Sequence, residues 1–466
     1  MALRPTTGSS ASSRTAHASS QPDRARGTMR FFSTRGEPLG LSLSEAVLRG
    51  LAPDGGLYVP DAWPSLALQD FDRCETLAEV GARLIAPFAV GDRLDSLVAE
   101  ITADAFNFEA PLVPVSEAVG DGEMYVLELF HGPTAAFKDF GARFLAATFQ
   151  RLRSPIDPTV NILVATSGDT GGAVAAAFHR RPGMAVTVLF PKGLVSPTQE
   201  RQLTCWGDNV RSFAVAGTFD DCQRMVKEAF VDAQLGAAMS LSSANSINLG
   251  RLLPQAAYYA STSLQFWRKH ARKLNFIIPS GNLGNAVACI WARHMGLPIG
   301  RIVLAHNANR TVVDYLQTGD WSPRRSLATL ASAMDVGQPS NMERLRALYP
   351  DLDGLRGAVA AESVDDGRIA ARIRSDRQRF GQIWCPHTAV AAEVWATMDE
   401  RSRRELPWCL VATASPAKFP EIVEPLIDSS IPVPPALAEL LQRPTQVESL
   451  EPSLPALRAA LLSARR

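Results

Sequence analysis

The chain has 466 residues, enough for two or three folded units rather than one small core. Its 47 basic and 47 acidic side chains cancel, which excludes a whole-molecule pull toward nucleic acid or an anionic membrane but leaves room for a small anion bound locally. Apolar content of 46% suits a folded protein, and no apolar run approaches the roughly 18 to 20 residues that span a bilayer.

Residues 1–28, "MALRPTTGSSASSRTAHASSQPDRARGT", are basic and serine-rich without a signal-peptide core, and are expected to be disordered. Two readings stay open: an organellar transit-type segment, or an extension ahead of a start at Met29, which directly precedes the first foldable sequence. The six cysteines are scattered without compact spacing and the histidines form no ligand pattern, so no disulfide framework or metal site is indicated. A reducing, cytoplasmic setting fits.

Glycines and prolines set off residues 29–115 as an accessory region. In a first unit, 116–270, "NILVAT", "MAVTVLF" and "VRSFAVA" are short β-rich runs, each followed by a turn and a helical pattern. A second unit, 271–466, repeats that rhythm at "LNFIIPSGNLGN", "RIVLAHNANRTVVDYL" and "WCLVATASPAKFP". It carries a charged helical insertion near 322–360 and a proline-punctuated helical tail. The predicted class is α/β, with two open, mainly parallel sheets, helices on both faces and an active site in the cleft between them.

Ligands of such sheets gather beyond the carboxyl ends of strands. In "SGNLGN", Gly281 and Gly284 let the chain turn tightly, while Asn282, Asn285 and the amides around Leu283 point at an anion held on the next helix. The spacing is not that of a nucleotide P-loop, and a turn needed only for packing remains open. "SGDTGG" is not a dinucleotide fingerprint. Ser167 and Thr170 there are candidate carboxylate contacts, whereas Asp169 would repel a carboxylate and is expected to cap loop amides instead. Lys192, at the end of the next strand, suits a phosphate or is merely a surface lysine.

In "LELFHGPTAAFKDFGARFLAATF", residues 127–149, the spacing of Phe140, Phe144, Leu145 and Phe149 predicts an apolar helix face with Lys138 at its N-terminus. Helix dipole and burial disfavour the ammonium there, and Asp139 would oppose them if close. An amine so tuned is nucleophilic toward an aldehyde. With a phosphate cradle downstream, this matches the needs of pyridoxal 5'-phosphate, although a phosphometabolite enzyme with a structural lysine fits the residues equally well.

The ordered motifs "GLAPDGGLYVP", "ELFHGPTAAFKDFGARF", "ATSGDTGGA", "FPKGLVSPTQ", "SSANSINLGRLLPQAAYY", "PSGNLGNA", "PHTAV" and "TASPAKF" resemble the threonine synthase family, pyridoxal-phosphate enzymes of the tryptophan-synthase-β type fold (fold type II). The resemblance covers almost everything after Met29. It implies that Lys138 is the imine-forming catalytic residue, that the 281–285 turn holds the cofactor phosphate, and that Thr413 lies near the pyridine nitrogen. Ser415 departs from the histidine frequent in the family.

The implied reaction converts O-phospho-L-homoserine and water to L-threonine and phosphate, through an aldimine, β,γ-elimination and hydration. A second phosphate then needs contacts, for which Lys192, Ser243, Asn245, Asn248 and Arg251 are candidates. The donor-rich run "SSANSINLGR" could equally cap a helix. A fold-related dehydratase and a catalytically silent metabolite-binding protein are the alternatives. Monomer and homodimer both remain open.

Overall fold

Each compact apolar run of the sequence forms a strand in the computed structural model, which describes residues 28–115, 122–166 and 168–463. The reading of residues 1–28 therefore falls almost wholly outside the described residues. In the accessory region β1 (Phe31–Ser33) and β2 (Tyr58–Pro60) pair antiparallel. There follow β3 (Leu112–Pro114), β4 (Met124–Glu128), β5 (Val160–Ala165), β6 (Met184–Pro191), β7 (Val210–Val215) and β8 (Ser240–Ser243). The later strands are β9 (Leu274–Pro279), β10 (Ile299–His306), β11 (Ala360–Ser363), β12 (Trp408–Ala412) and β13 (Glu448–Leu450).

Two sheets result. The smaller is all parallel in the order β13-β7-β6-β5-β8. The larger runs β11-β10-β9-β12-β4-β3, parallel except for β3 against β4. Central strands are covered on both faces, which is why they read as continuous apolar runs: Ile162, Leu163 and Val164 are fully buried, as are Phe276, Ile277 and Ile278.

The sheets do not divide at the expected boundaries near 116 and 270. Strands β3 and β4 belong to the larger sheet, beside strands that come much later in the chain, and β13 from the tail completes the smaller one. A short strand's local pattern specifies its faces but not its neighbour, so sequence order misassigns both ends. The crossing matters for the site: the chain leaves β4 in the larger sheet and passes through helix Lys138–Leu152 before entering β5 in the smaller.

The insertion is also less helical than expected. Residues 321–341 are irregular apart from the short turn Ser332–Met334, and helices form only at Met342–Leu348 and Leu352–Ala358. Local hydrogen bonds compete with helix here. The Asp335 carboxylate accepts from Thr329 N–H (3.0 Å), Thr329 Oγ1 (2.7 Å) and Asn307 Nδ2 (2.8 Å). Burial raises that carboxyl to about 6.

In the accessory region, helix Leu77–Ala89 buries Val80, Leu84, Ile85 and Phe88 along one face, and Thr76 and Glu79 close its first turn as a capping box. Arg35 and Thr34 both reach Glu343 (2.5 and 2.8 Å), tying this region to the insertion.

Candidate active site

The turn before Lys138 is built against the loop that follows β12. Leu129 N–H donates to Ala412 O (3.0 Å), Phe137 N–H to Thr413 O (2.9 Å) and Ser415 N–H to Ala135 O (3.0 Å). Ala135 itself takes a φ of +54°, a conformation an L-residue keeps only when its surroundings impose it. Asp139 secures the turn from inside, its carboxylate accepting from Thr134 N–H (2.8 Å) and Thr134 Oγ1 (2.7 Å). Thr413 thus meets the lysine loop through its carbonyl, and Ser415 caps the following turn, its Oγ accepting from Ala417 N–H at 3.3 Å.

Lys138 opens helix Lys138–Leu152, as expected, with its Nζ 5.3 Å from the Phe137 ring centroid. The residue retains partial exposure. Burial lowers its pKa to about 8; the Asp169 carboxylate opposes that shift, while Lys418 and Arg251 add to it. The opposing charge therefore comes from Asp169 rather than from neighbouring Asp139, whose oxygens are taken by Thr134.

Asp169 does not cap loop amides as expected. That work falls to Thr166, whose Oγ1 accepts from Gly168 N–H (3.0 Å) and Gly171 N–H (2.9 Å). Asp169, 4% exposed, instead pairs with the ammonium of Lys418, which is fully buried, at 2.8 Å, and accepts from Gln199 Nε2 at 3.1 Å. Burial alone would raise the Asp169 carboxyl, but Lys418, Lys138 and His387 outweigh it and hold it well below the usual range.

His387, at the start of helix Pro386–Thr397, is buried, and its pKa falls to about 4. Its Nε2 accepts from Ala333 N–H at 3.1 Å, which fixes the neutral ring against the insertion. Lys418 and His387 were not singled out in the sequence, although "TASPAKF" and "PHTAV" contain them. A lysine followed by phenylalanine carries no local sign that it is buried.

The "SGNLGN" turn forms the start of helix Gly284–His294, whose first-turn amides have no carbonyl within their own helix. The left-handed position is Leu283 (φ +63°), not either glycine. Gly281 is required for a different reason: a Cβ there would lie 2.8 Å from Met334 Cα. Asn282 ties loops together, donating from Nδ2 to Ser246 Oγ (2.7 Å) and accepting from Ser340 N–H (2.5 Å). Asn285 Oδ1 accepts from Tyr258 and Tyr259 hydroxyls at 2.6 and 2.8 Å, which leaves its buried Nδ2 without a partner.

Behind this turn Asn341 Nδ2 donates to Asn282 O (2.9 Å), and Arg344 holds Asn341 Oδ1 (2.6 Å), Ile247 O (2.8 Å) and Tyr58 O (3.1 Å). Arg344 is fully buried, Arg251 is 2% exposed, and both donate only to uncharged oxygens. Burial lowers the first guanidinium to about 9 and the second to about 10. At the turn itself, the orphaned Asn285 amide and the first-turn amides of the helix leave donors for an anion, while Arg344 is taken up by protein oxygens. These residues fit pyridoxal 5'-phosphate, with Lys138 to receive its aldehyde.

The remaining candidates separate. Arg251 faces the lysine helix, since a Cβ on Gly141 would lie 3.1 Å from its buried, unpartnered Nε. Asn245 Oδ1 is likewise buried without a partner, and its amide can be turned to present donors. Ser243 Oγ accepts from Asn245 N–H at 3.3 Å.

Asn248 must be withdrawn as a substrate contact. It is fully buried, donating to Val47 O and Ser243 O (both 3.0 Å) and accepting from Gly250 N–H (2.8 Å), so it caps and anchors its segment. Lys192 is exposed, and its side chain engages none of the described residues. Thr170 lies half-buried in the first turn of helix Asp169–Phe178. Ser167 lies outside the described residues.

Residues 106–413 match the family model described as "Pyridoxal-phosphate dependent enzyme", residues 30–106 that described as "Threonine synthase N terminus", and residues 388–461 that described as "Threonine synthase, C-terminal". Threonine synthase of Haemophilus influenzae is 37% identical over 438 residues, 93% of this chain and 100% of that protein. The crystal structure of threonine synthase from Escherichia coli superposes with a TM-score of 0.85 at 35% identity, covering 94% of this chain and 100% of that one. The pyridoxal-phosphate-bound threonine synthase from Brucella melitensis gives 0.84 at 33% identity, with 94% and 100% covered. With its accessory, central and C-terminal parts all matched in order, the chain belongs to the threonine synthase family of pyridoxal-phosphate-dependent enzymes.

Proposed function

We propose that this chain converts O-phospho-L-homoserine and water to L-threonine and inorganic phosphate, using pyridoxal 5'-phosphate held through Lys138 and the 281–285 turn. The observation that carries the reading is Arg251: a buried guanidinium with an unpartnered Nε and no carboxylate partner, set against the Lys138 helix. A dehydratase acting on unphosphorylated hydroxyamino acids has no second phosphate to neutralise such a cation.

When bound, the cofactor supplies an electron sink for charge developing beside the substrate nitrogen. The chain's own residues do the rest. The free Lys138 amine would take the Cα proton of the substrate; a pKa near 8 raises its neutral fraction near neutral pH on the order of a hundred-fold over an ordinary lysine. Arg251 and Asn245 hold the phosphate ester and stabilise the charge it carries away. Thr170 at the first turn of its helix receives the carboxylate.

The test is an assay of purified protein with O-phospho-L-homoserine, measuring threonine and phosphate separately. Equal amounts of both support the reading. Phosphate accompanied by a keto acid would point to elimination without productive hydration and would refute it.

A further inference from the structure

Lys418 is fully buried, yet its ammonium has no part in the chemistry above. It sits in the turn after β12 of the larger sheet and reaches across to Asp169 Oδ1 (2.8 Å), at the start of the helix that follows β5 of the smaller sheet. It also donates to Thr134 O (2.9 Å) in the lysine-bearing loop, an oxygen it shares with Gln202 Nε2 (3.0 Å). Asp169 Oδ1 is shared in turn with Gln199 Nε2 (3.1 Å). Buried ion pairs contribute little stability compared with apolar side chains of the same volume, so stability alone does not account for one placed here.

The charged groups around Lys138 define what the pair does. Asp169 favours a protonated Lys138; Lys418 and Arg251 disfavour it. The other titratable groups are His387 and Cys385, both buried and interacting with Asp169, and Asp139, engaged by Thr134. Without Lys418, the Asp169 carboxylate would be the natural counter-ion of the Lys138 amine, locking it as an ammonium that neither attacks an aldehyde nor accepts a proton.

We propose that Lys418 is a positioning residue for Lys138: clamped between the Asp169 carboxylate and the Thr134 carbonyl, it occupies the carboxylate that would otherwise capture the Lys138 amine. The inference rests on the proposed role of Lys138 and adds a second lysine to it. Asp169 and Lys418 then act as an opposed pair, and their joint removal leaves Lys138 nearly as it was.

The readout is the rate at which full-length protein, stripped of cofactor with hydroxylamine, reattaches pyridoxal 5'-phosphate to Lys138, followed by visible absorbance from about pH 6.5 to 9.5. Lys418→Gln keeps hydrogen-bond donors but loses the charge. Its rate is expected to fall about tenfold near neutral pH and to rejoin wild type at the alkaline end, a shift of about one pH unit. Asp169→Asn shifts the profile the other way, Lys418→Gln/Asp169→Asn lies close to wild type, and Lys418→Arg restores it.

A Lys418→Gln profile superimposable on wild type, or lowered equally at every pH, overturns the proposal, the second result marking a merely structural lysine. If Lys418→Gln does not fold, Asp169→Asn decides: an unshifted profile overturns the proposal. Phosphate release from O-phospho-L-homoserine is measured on the wild type alongside. Its absence would overturn the substrate reading while the attachment profiles still judge Lys418.

Discussion

Replacing Arg251 with methionine separates a binding cation from a structural one. The side chain is 2% exposed, donates to the Ala244 carbonyl and leaves Nε unpartnered. Truncating one partner of a buried, charge-assisted contact costs about 2 to 5 kcal/mol, so losing the phosphate ester's partner should lower kcat/KM by on the order of a hundred-fold or more. Stability should behave differently. An unpaired buried guanidinium is a burden to the fold, and its removal offsets the one carbonyl left unsatisfied, so urea unfolding of cofactor-free protein should change by no more than about 1 kcal/mol.

Because Arg251 also disfavours the Lys138 ammonium, the rising limb of the rate profile should move to higher pH in the variant. The assay is steady-state phosphate release, with urea melts run on the same preparations. The reasoning fails if kcat/KM falls less than about threefold, or if stability drops by about 3 kcal/mol or more, since either would make Arg251 a packing residue.

Lys138→Ala should abolish the absorbance of covalently held cofactor and reduce threonine formation by several orders of magnitude, read by spectrum and product analysis. In cofactor-free protein the lowered pKa of Lys138 has a definite sign: between about 8 and its ordinary value of 10.5 the unfolded chain binds the extra proton, so stability rises with pH across that window. The stability difference between wild type and Lys138→Met should change by on the order of 3 kcal/mol across it, by denaturant titration at each pH. Gly281→Ala would set a Cβ 2.8 Å from Met334 Cα; cofactor affinity should weaken at least about tenfold and stability fall by about 1 to 3 kcal/mol, followed by cofactor titration and melting. Asn248→Ala should destabilise by about 2 kcal/mol with KM nearly unchanged, because its bonds to Val47 O and Ser243 O are internal; a large rise in KM at wild-type stability would reinstate it as a substrate contact.

Much of the site's outline was legible because it depends on local chemistry. The apolar face beginning at Lys138, the turn before the helix of "SGNLGN" and the runs that became β5, β6, β9 and β12 all rest on periodicity and turn residues within a few positions of one another. Those same local rules went astray where two local solutions competed. Leu283 rather than a glycine took the left-handed position, Thr166 rather than Asp169 took the loop amides, and a charged segment near 321–341 settled into side-chain hydrogen bonds instead of a helix.

What the tertiary structure alone decided is which distant groups share a buried volume. That β4 pairs with β12, that Lys418 meets Asp169 across the two sheets, and that Arg251 and Arg344 are buried without carboxylates cannot be inferred from neighbours in the chain. A charge's cost and meaning depend on the dielectric and the counter-charges around it, and both are set by packing. The amino-acid order by itself determined the elements, the lysine at a helix start and the family likeness. Folding determined the lysine's electrostatics, by enclosing it with one carboxylate and two further cations.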